Sequence, residues 1–274
     1  MTETWFSGIF PSREQPAEID TTVAHPARVY DYWLGGKDNF AADREAAERV
    51  LAVAPGLRFR VKANRAFLAR SVRFLATECG VRQFLDIGTG IPTGNNTHEV
   101  AQAAAPASRI VYVDNDPIVL AHARALLTST PEGTTAYLEA DLREPDTILA
   151  AARQALDFRQ PIALMLLGIL HLIQDAEEPY QIVSHLMDAL PSGSYLVISH
   201  PASDIRAQSM AEMVELLTQT GPPMAARSHA DVSRFFDGLD LAEPGVVALP
   251  NWRPDSADMP AEYATGWCGV ARKP

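Results

Sequence analysis

Three acidic residues and one glycine loop carry the plainest chemistry in this chain. The segment Phe84-Leu-Asp-Ile-Gly-Thr-Gly-Ile-Pro-Thr-Gly94 sets an apolar run directly before closely spaced glycines. Glycines at a strand-to-helix turn let a ligand approach the backbone, and the helix N-terminus that follows is polarised positively. Such a turn makes a nucleotide crevice. The dinucleotide fingerprint needs its third glycine where this chain has Thr93, with Gly94 one residue later. Asp86, just before the glycines, repels a pyrophosphate and attracts an ammonium group. Asp114 ends the next apolar run, where a carboxylate can take both hydroxyls of a ribose. Asp141 follows the third run, in Glu139-Ala-Asp-Leu-Arg143, where an acid can accept from an adenine amino group and the Leu142 N–H faces a ring nitrogen. Each acid alone is also read as a loop or helix-capping carboxylate. One acid after each of three successive strands is a stronger pattern. It describes a ligand with an ammonium group, a ribose and an adenine, as in S-adenosylmethionine; a nicotinamide dinucleotide fits less well.

The elements that must position these groups follow from periodicity. After Gly80, apolar runs alternate with helical stretches: 83–87 then 97–105, 110–114 then 117–127, 136–139 then 147–156, 162–167 then 179–190, and 195–199 then 205–220. Runs apolar on both faces belong in a parallel sheet covered by helices, so the alternation predicts a doubly wound α/β domain. Ser228, with Asp231 three residues on, opens another helix. Two more strands, Val246–Leu249 and Gly266–Ala271, are expected as an antiparallel pair at the sheet edge. Before Gly80 the pattern is helical. Phe59, Ala63, Phe67, Leu68, Val72 and Leu75 make one apolar face. The expected division is an extended lead-in over 1–26, a helical segment over 27–80 and the nucleotide-binding domain over 81–274.

Composition narrows the function classes. The chain has 274 residues, 47% hydrophobic and 21% charged, enough for one sizeable core. Its formal charge of −11 disfavours a surface that tracks phosphates, so no nucleic-acid partner is expected. Cys79 and Cys268 suggest free thiols in a reducing, cytoplasmic compartment. No apolar run is long enough to span a bilayer, and the first 20 residues lack a secretory pattern. The seven histidines form no metal-binding pair, so no metal is expected.

Taken together, the chain resembles the class I S-adenosylmethionine-dependent methyltransferases. Within them it resembles the S-adenosyl methyltransferase family long filed as a domain of unknown function. The match is carried by His25-Pro-Ala-Arg-Val-Tyr-Asp-Tyr-Trp-Leu-Gly-Gly-Lys-Asp-Asn-Phe40, Asp43-Arg44-Glu45, Lys62-Ala-Asn-Arg65, Asp86–Gly90, Asn95-Asn-Thr-His98 and Tyr112-Val-Asp-Asn-Asp-Pro117. The resemblance implies a seven-stranded Rossmann-like sheet in the order 3-2-1-4-5-7-6, with the last strand antiparallel. It also implies a cofactor site that includes Asp86, Gly88, Thr89, Gly90, Asp114, Asn115, Asp141 and Leu142.

In class I methyltransferases the segment before the first strand commonly closes over the cofactor. The block from Arg28 to Asn39 is thus read either as a lid or as a helix–turn docked on the sheet. Gly35-Gly36 would give a hinge or a close backbone contact. Tyr30 and Tyr32 would stack on or bond the cofactor, with Tyr32 counted in the cofactor site, and Arg65 would pair with its carboxylate. His171, after the fourth strand, resembles the general base of small-molecule O-methyltransferases, although a packed structural histidine is the competing reading. His200 is expected near the crevice edge, in a loop before a helix. Helix 205–220 and the loop Pro250–Glu262, with Trp252 and Arg253, are expected to wall an acceptor pocket. The expected function is methyl transfer to a small molecule; the alternatives are a non-catalytic or regulatory protein binding the same cofactor, and a nicotinamide-dependent oxidoreductase.

Overall fold

A computed structural model describes residues 20–126, 129–220, 222–255 and 265–274. Most of the expected lead-in, and the loop from 256 onward, lie outside the described residues. Helices α1 (Pro26–Leu34), α2 (Ala41–Val53) and α3 (Leu57–Thr77) come first. The alternating part then runs β1 (Gln83–Ile87), α4 (Thr97–Ala104), β2 (Arg109–Asp114), α5 (Pro117–Leu126), β3 (Thr134–Glu139), α6 (Pro145–Ala152), β4 (Ala163–Leu167), α7 (Pro179–Asp188), β5 (Tyr195–Pro201) and α8 (Ala207–Thr220). It ends with α9 (His229–Arg234), β6 (Asp240–Leu241), β7 (Val247–Ala248) and β8 (Gly266–Arg272).

The sheet order is β3-β2-β1-β4-β5-β8-β6, with β7 also paired to β8. β1 to β5 are parallel, and β8 is antiparallel to β5. The expected order holds, with one addition. The sixth strand is broken into β6 and β7, which meet β8 at Leu241↔Ala271 and Val247↔Cys268. Pro244 and Gly245 interrupt the run between them, and Pro has no N–H for a ladder. The final strand is consequently flanked on both sides; it is the broken strand that lies at the edge.

Alternation along β1 sorts the two faces. Leu85 and Ile87 join the core under α6 and α7, while Phe84 packs with Phe67, Val72 and Leu75 of α3 on the other face. Asp86 lies on the Phe84 side by the same period, which turns its carboxylate toward α3 and α4. α3 is therefore part of the central core. α1 and α2 form a separate cluster with α8, built on Val29, Trp33, Ala47, Val50, Met210 and Met213. Phe59 departs from the expected buried face: it is 43% exposed, and Leu57 and Val61 take the buried positions. Trp252 is also a core residue. It is fully buried edge-on to Phe67, and Arg70 donates to its carbonyl and to that of Leu249 at 2.8 Å. Trp252 thus walls no pocket, and Arg253 instead pairs with Glu78.

Candidate cofactor and methyl-transfer site

The crevice opens where β1 ends. Gly88 has φ 74°, and a Cβ there would come within 2.6 Å of the Ile169 side chain, so the turn requires glycine to pass the loop after β4. Arg65, Asp86, Thr89, Gly90, Asn96 and Thr97 enclose a small pocket beside this turn. Thr97 donates its hydroxyl to Asp86 Oδ2 at 2.6 Å. Burial pushes the Asp86 carboxyl up to about 6; the Thr97 bond and the Arg65 charge oppose that rise, and Asp114 adds to it. Across the pocket, Arg65 Nη2 donates to the carbonyls of Gly94 and Asn95, while its Nε is buried with no partner among the described residues.

Asp114 closes β2 and receives the Gly90 N–H on Oδ2 at 2.9 Å and the Asp116 N–H on Oδ1 at 3.0 Å. Each oxygen keeps a second acceptor site. Burial raises its pKa despite those two donors. Asn115 donates to Asp141 at 3.0 Å, and Arg143 pairs with Asp141 at 3.2 Å. Burial works against ionising Asp141, but the Arg143 N–H, Asn115 and the Arg143 charge outweigh it and hold the pKa low. Arg143 also reaches Glu177 and the Leu172 carbonyl, so one side chain ties the Asp141 loop to the His171 loop. Leu142 is buried in the core beside them.

The N-terminal block is stapled by carboxylates. Asp43, fully buried, accepts from the His25 N–H, the Arg28 guanidinium and the Phe40 N–H. Asp31, also buried, accepts from the Asp38 N–H and the Asn39 amide at 3.0 and 2.9 Å. A Cβ on Gly36 would fall inside the Asp31 carboxylate. Gly36 therefore serves the close backbone contact, and Gly35 closes α1 in the left-handed conformation. His25 Nδ1 lies 2.9 Å from Asp116, which docks the start of α1 beside the Asp114 turn.

Of the two tyrosines, the structure turns Tyr30 inward. Its hydroxyl accepts from Asn64 at 3.0 Å, and Asn64 Oδ1 accepts from Ser199 at 2.6 Å. Tyr32 points the other way, donating to Glu48 with Arg58 over its ring. His171 sits in a 3₁₀ turn over Leu170–Leu172 with its Nδ1 buried and without a partner among the described residues. Burial first, then the neighbouring His200 and the positive charges of Arg60 and Arg227, lower its pKa to about 3. His200 lies inside β5, not in a loop. Arg227 donates to its Nε2 at 2.8 Å, which leaves the proton on Nδ1, 3.0 Å from the Pro201 carbonyl. It is thus a fixed structural histidine. Arg227 also reaches the carbonyls of Leu170 and Ile173 and the Asp175 carboxylate, and so braces the His171 turn. Nothing in its sequence surroundings marks it; Asn64, by contrast, lies in the Lys62–Arg65 block.

The strand order, the antiparallel last strand and the acid-flanked glycine turn define a Rossmann-like S-adenosylmethionine-dependent methyltransferase. The model of the S-adenosyl methyltransferase family matches residues 12–274, and the chain belongs to that family. It is 46% identical to a DUF574-family protein from Streptomyces avermitilis MA-4680, over 93% of this chain and 99% of that one, with a TM-score of 0.90. It is 40% identical to a protein from Thermobifida fusca YX provisionally classed as a methyltransferase, over 96% and 99% of the two chains, with a TM-score of 0.87. A likeness of fold alone extends to the plantazolicin methyltransferase BpumL, at 12% identity over 90% and 95% of the chains and a TM-score of 0.53. No curated protein matches the sequence. No helix among the described residues is long and apolar enough to cross a membrane. Cys79 and Cys268 are free, and no cluster of metal-binding side chains occurs among the described residues.

Proposed function

We propose that this chain transfers the methyl group of S-adenosylmethionine to an oxygen or nitrogen of a small-molecule acceptor. The observation that carries this reading is the pocket between Asp86 and Arg65. Among the described residues, a buried carboxylate with no ion-pair partner stands there with a guanidinium Nε that has no acceptor. Two such groups suit the ammonium and carboxylate of an amino acid end, which is what the family's cofactor presents. In this reading Asp114 takes the ribose hydroxyls, and Asp141, steadied by Asn115, takes the adenine amino group beside Leu142. The backbone of Gly88, Thr89 and Gly90 lets the methionine chain pass.

Bound S-adenosylmethionine supplies an electrophilic methyl group on its sulfonium. The chain's own part is alignment and exclusion of water. α1 and α2, stapled through Asp43, form the cover, and the Tyr30–Asn64–Ser199 chain lines the floor beside Gly168. His171 is neutral at physiological pH, and in this reading its Nδ1, buried in the free protein, takes the acceptor's proton once the acceptor is bound beside it. A pKa of about 3 makes it a weak base. An oxygen becomes far more acidic as the methyl bond forms, so a weak base suffices once transfer is under way. An open cavity beyond Asn64, lined by α3 and α8, supports a catalytic rather than a purely regulatory protein.

The test is release of S-adenosylhomocysteine from S-adenosylmethionine across a panel of phenols, alcohols and amines. Turnover with at least one acceptor, reduced 100-fold or more in His171→Asn with cofactor binding retained, is expected. Binding without turnover on any acceptor would favour the non-catalytic alternative.

A further inference from the structure

The open cavity has a charge at odds with the rest of the molecule. It holds about 240 Å³ between the α2–α3 turn and the start of α8. Arg60, Arg206, Ser209, Met210, Met213 and Thr265 shape it, and no acidic residue among the described residues lines it. The protein as a whole carries a formal charge of −11. Arg60 has five N–H donors, yet its side chain reaches only the Met210 sulfur, at 3.9 Å, among the described residues. No carboxylate among them pairs with Arg60 or Arg206. Desolvation lowers the Arg60 pKa to about 10, the mark of a guanidinium held without a counter-ion.

Two helices point their positive ends at the same space. α3 begins at Leu57 and α8 at Ala207, and neither has an acid in its first turn. Arg206, at the head of α8, sits at φ 52°, a left-handed conformation that is strained for a non-glycine residue. α3 also connects this cavity to the cofactor pocket. Arg60 stands one turn before Asn64 and five residues before Arg65, a rise of about 7.5 Å along the axis. α3 thus runs from the amino acid end of the cofactor site at Arg65, past the floor of the crevice at Asn64, to Arg60, a cation with no carboxylate partner among the described residues.

We infer that this cavity is the acceptor subsite and that it selects methyl acceptors bearing a carboxylate, which Arg60 binds and Arg206 secures at the mouth. The inference rests on the methyltransferase reading and names the substrate class for it. A carboxylate on Arg60 also changes the base. Arg60 is one of the charges that lower the His171 pKa, so neutralising it makes His171 a better proton acceptor when, and only when, an acceptor is in place. The subsite would then tie recognition of the acceptor to proton removal.

The experiment uses the full chain saturated with S-adenosylhomocysteine, and ligand-observed NMR with matched pairs: benzoate with benzamide, and hexanoate with hexanamide. At least one carboxylate should bind tenfold or more tightly than its amide. That preference should fall at least tenfold in Arg60→Gln and two- to threefold in Arg206→Gln, with S-adenosylhomocysteine affinity unchanged in both. Equal binding of acids and amides by the wild-type chain would overturn the inference and leave the methyltransferase reading standing. So would a carboxylate preference that survives Arg60→Gln. Failure of S-adenosylhomocysteine itself to bind would remove both. The wild-type comparison needs no variant to fold.

Discussion

Thr97 and Asp86 face each other across the mouth of the glycine turn, the Thr97 hydroxyl donating to Asp86 Oδ2 at 2.6 Å. Thr97 is the first residue of α4 and Asp86 the last but one of β1. This one bond fixes a carboxylate on the helix-covered face of the sheet and uses only one of its oxygens. Asp86 is 5% exposed and has no cationic partner within ion-pair distance among the described residues. Its ionised form is therefore costly in the free protein and is stabilised by a ligand that brings an ammonium group.

Asp86→Asn separates those two effects. The amide oxygen can still accept from Thr97, and the desolvated charge is gone. The variant should be more stable than the wild type without ligand, by about 1–2 kcal/mol at pH 7.5 in urea unfolding. Its affinity for S-adenosylhomocysteine should fall about 10- to 100-fold by isothermal titration. A variant less stable and equally good at binding would contradict this assignment.

The same carboxylate gives a pH dependence with a definite sign. Its folded pKa of about 6 lies above the ordinary carboxylate value of 3.8. The folded state thus holds the proton more tightly, so this contribution to stability is present below about pH 4 and is lost as pH rises through 6. Cofactor affinity runs the other way, because the ammonium needs the ionised form. Between pH 5 and pH 7.5 the affinity for S-adenosylhomocysteine should rise about tenfold, and in Asp86→Asn most of that rise should vanish.

Asp43 is the staple of the cover. Removing its charge by Asp43→Asn leaves the buried Arg28 guanidinium unpaired, which costs about 3–5 kcal/mol. The loss should appear first as hydrogen exchange of the amides of α1 and α2, with β1 and β4 still protected. Uniform exchange across the sheet would place Asp43 in the global core instead.

The two tyrosines of α1 should respond differently. Tyr32→Phe loses only the exposed bond to Glu48 and should change cofactor affinity and turnover less than twofold. Tyr30→Phe leaves Asn64 short of a partner at the crevice floor and should lower turnover with an identified acceptor about tenfold. Equal effects from both substitutions would mean that the inward turn of Tyr30 has no consequence.

Much of the sheet was legible because parallel strands buried on both faces are nearly all apolar, as in Ala163-Leu-Met-Leu-Leu167. The positions of the acids were legible, since Asp86 and Asp114 lie at the ends of their strands and Asp141 follows the third. The broken sixth strand was not: Asp240–Leu241 is too short to show a period, and its pairing is decided by β8 far along the chain. Arg227 and Arg60 were equally silent. A buried arginine is recognisable only by what folds around it, and their partners lie up to 57 residues away in one case and 150 in the other. Tyr30 and Tyr32 were indistinguishable two positions apart on a short helix, and packing against α3 chose between them. Phe59 looked like part of the α3 stripe because i, i+4 spacing fits more than one face.

The central claim is that the Asp86–Arg65 pocket holds the amino acid end of S-adenosylmethionine. Isothermal titration of S-adenosylmethionine into the full chain at pH 7.5, with NAD titrated in parallel, tests it most directly. The predicted result is one site with a dissociation constant in the micromolar range or below for S-adenosylmethionine, and no heat with NAD. Absence of S-adenosylmethionine binding at hundreds of micromolar, or equal binding of NAD, would contradict it.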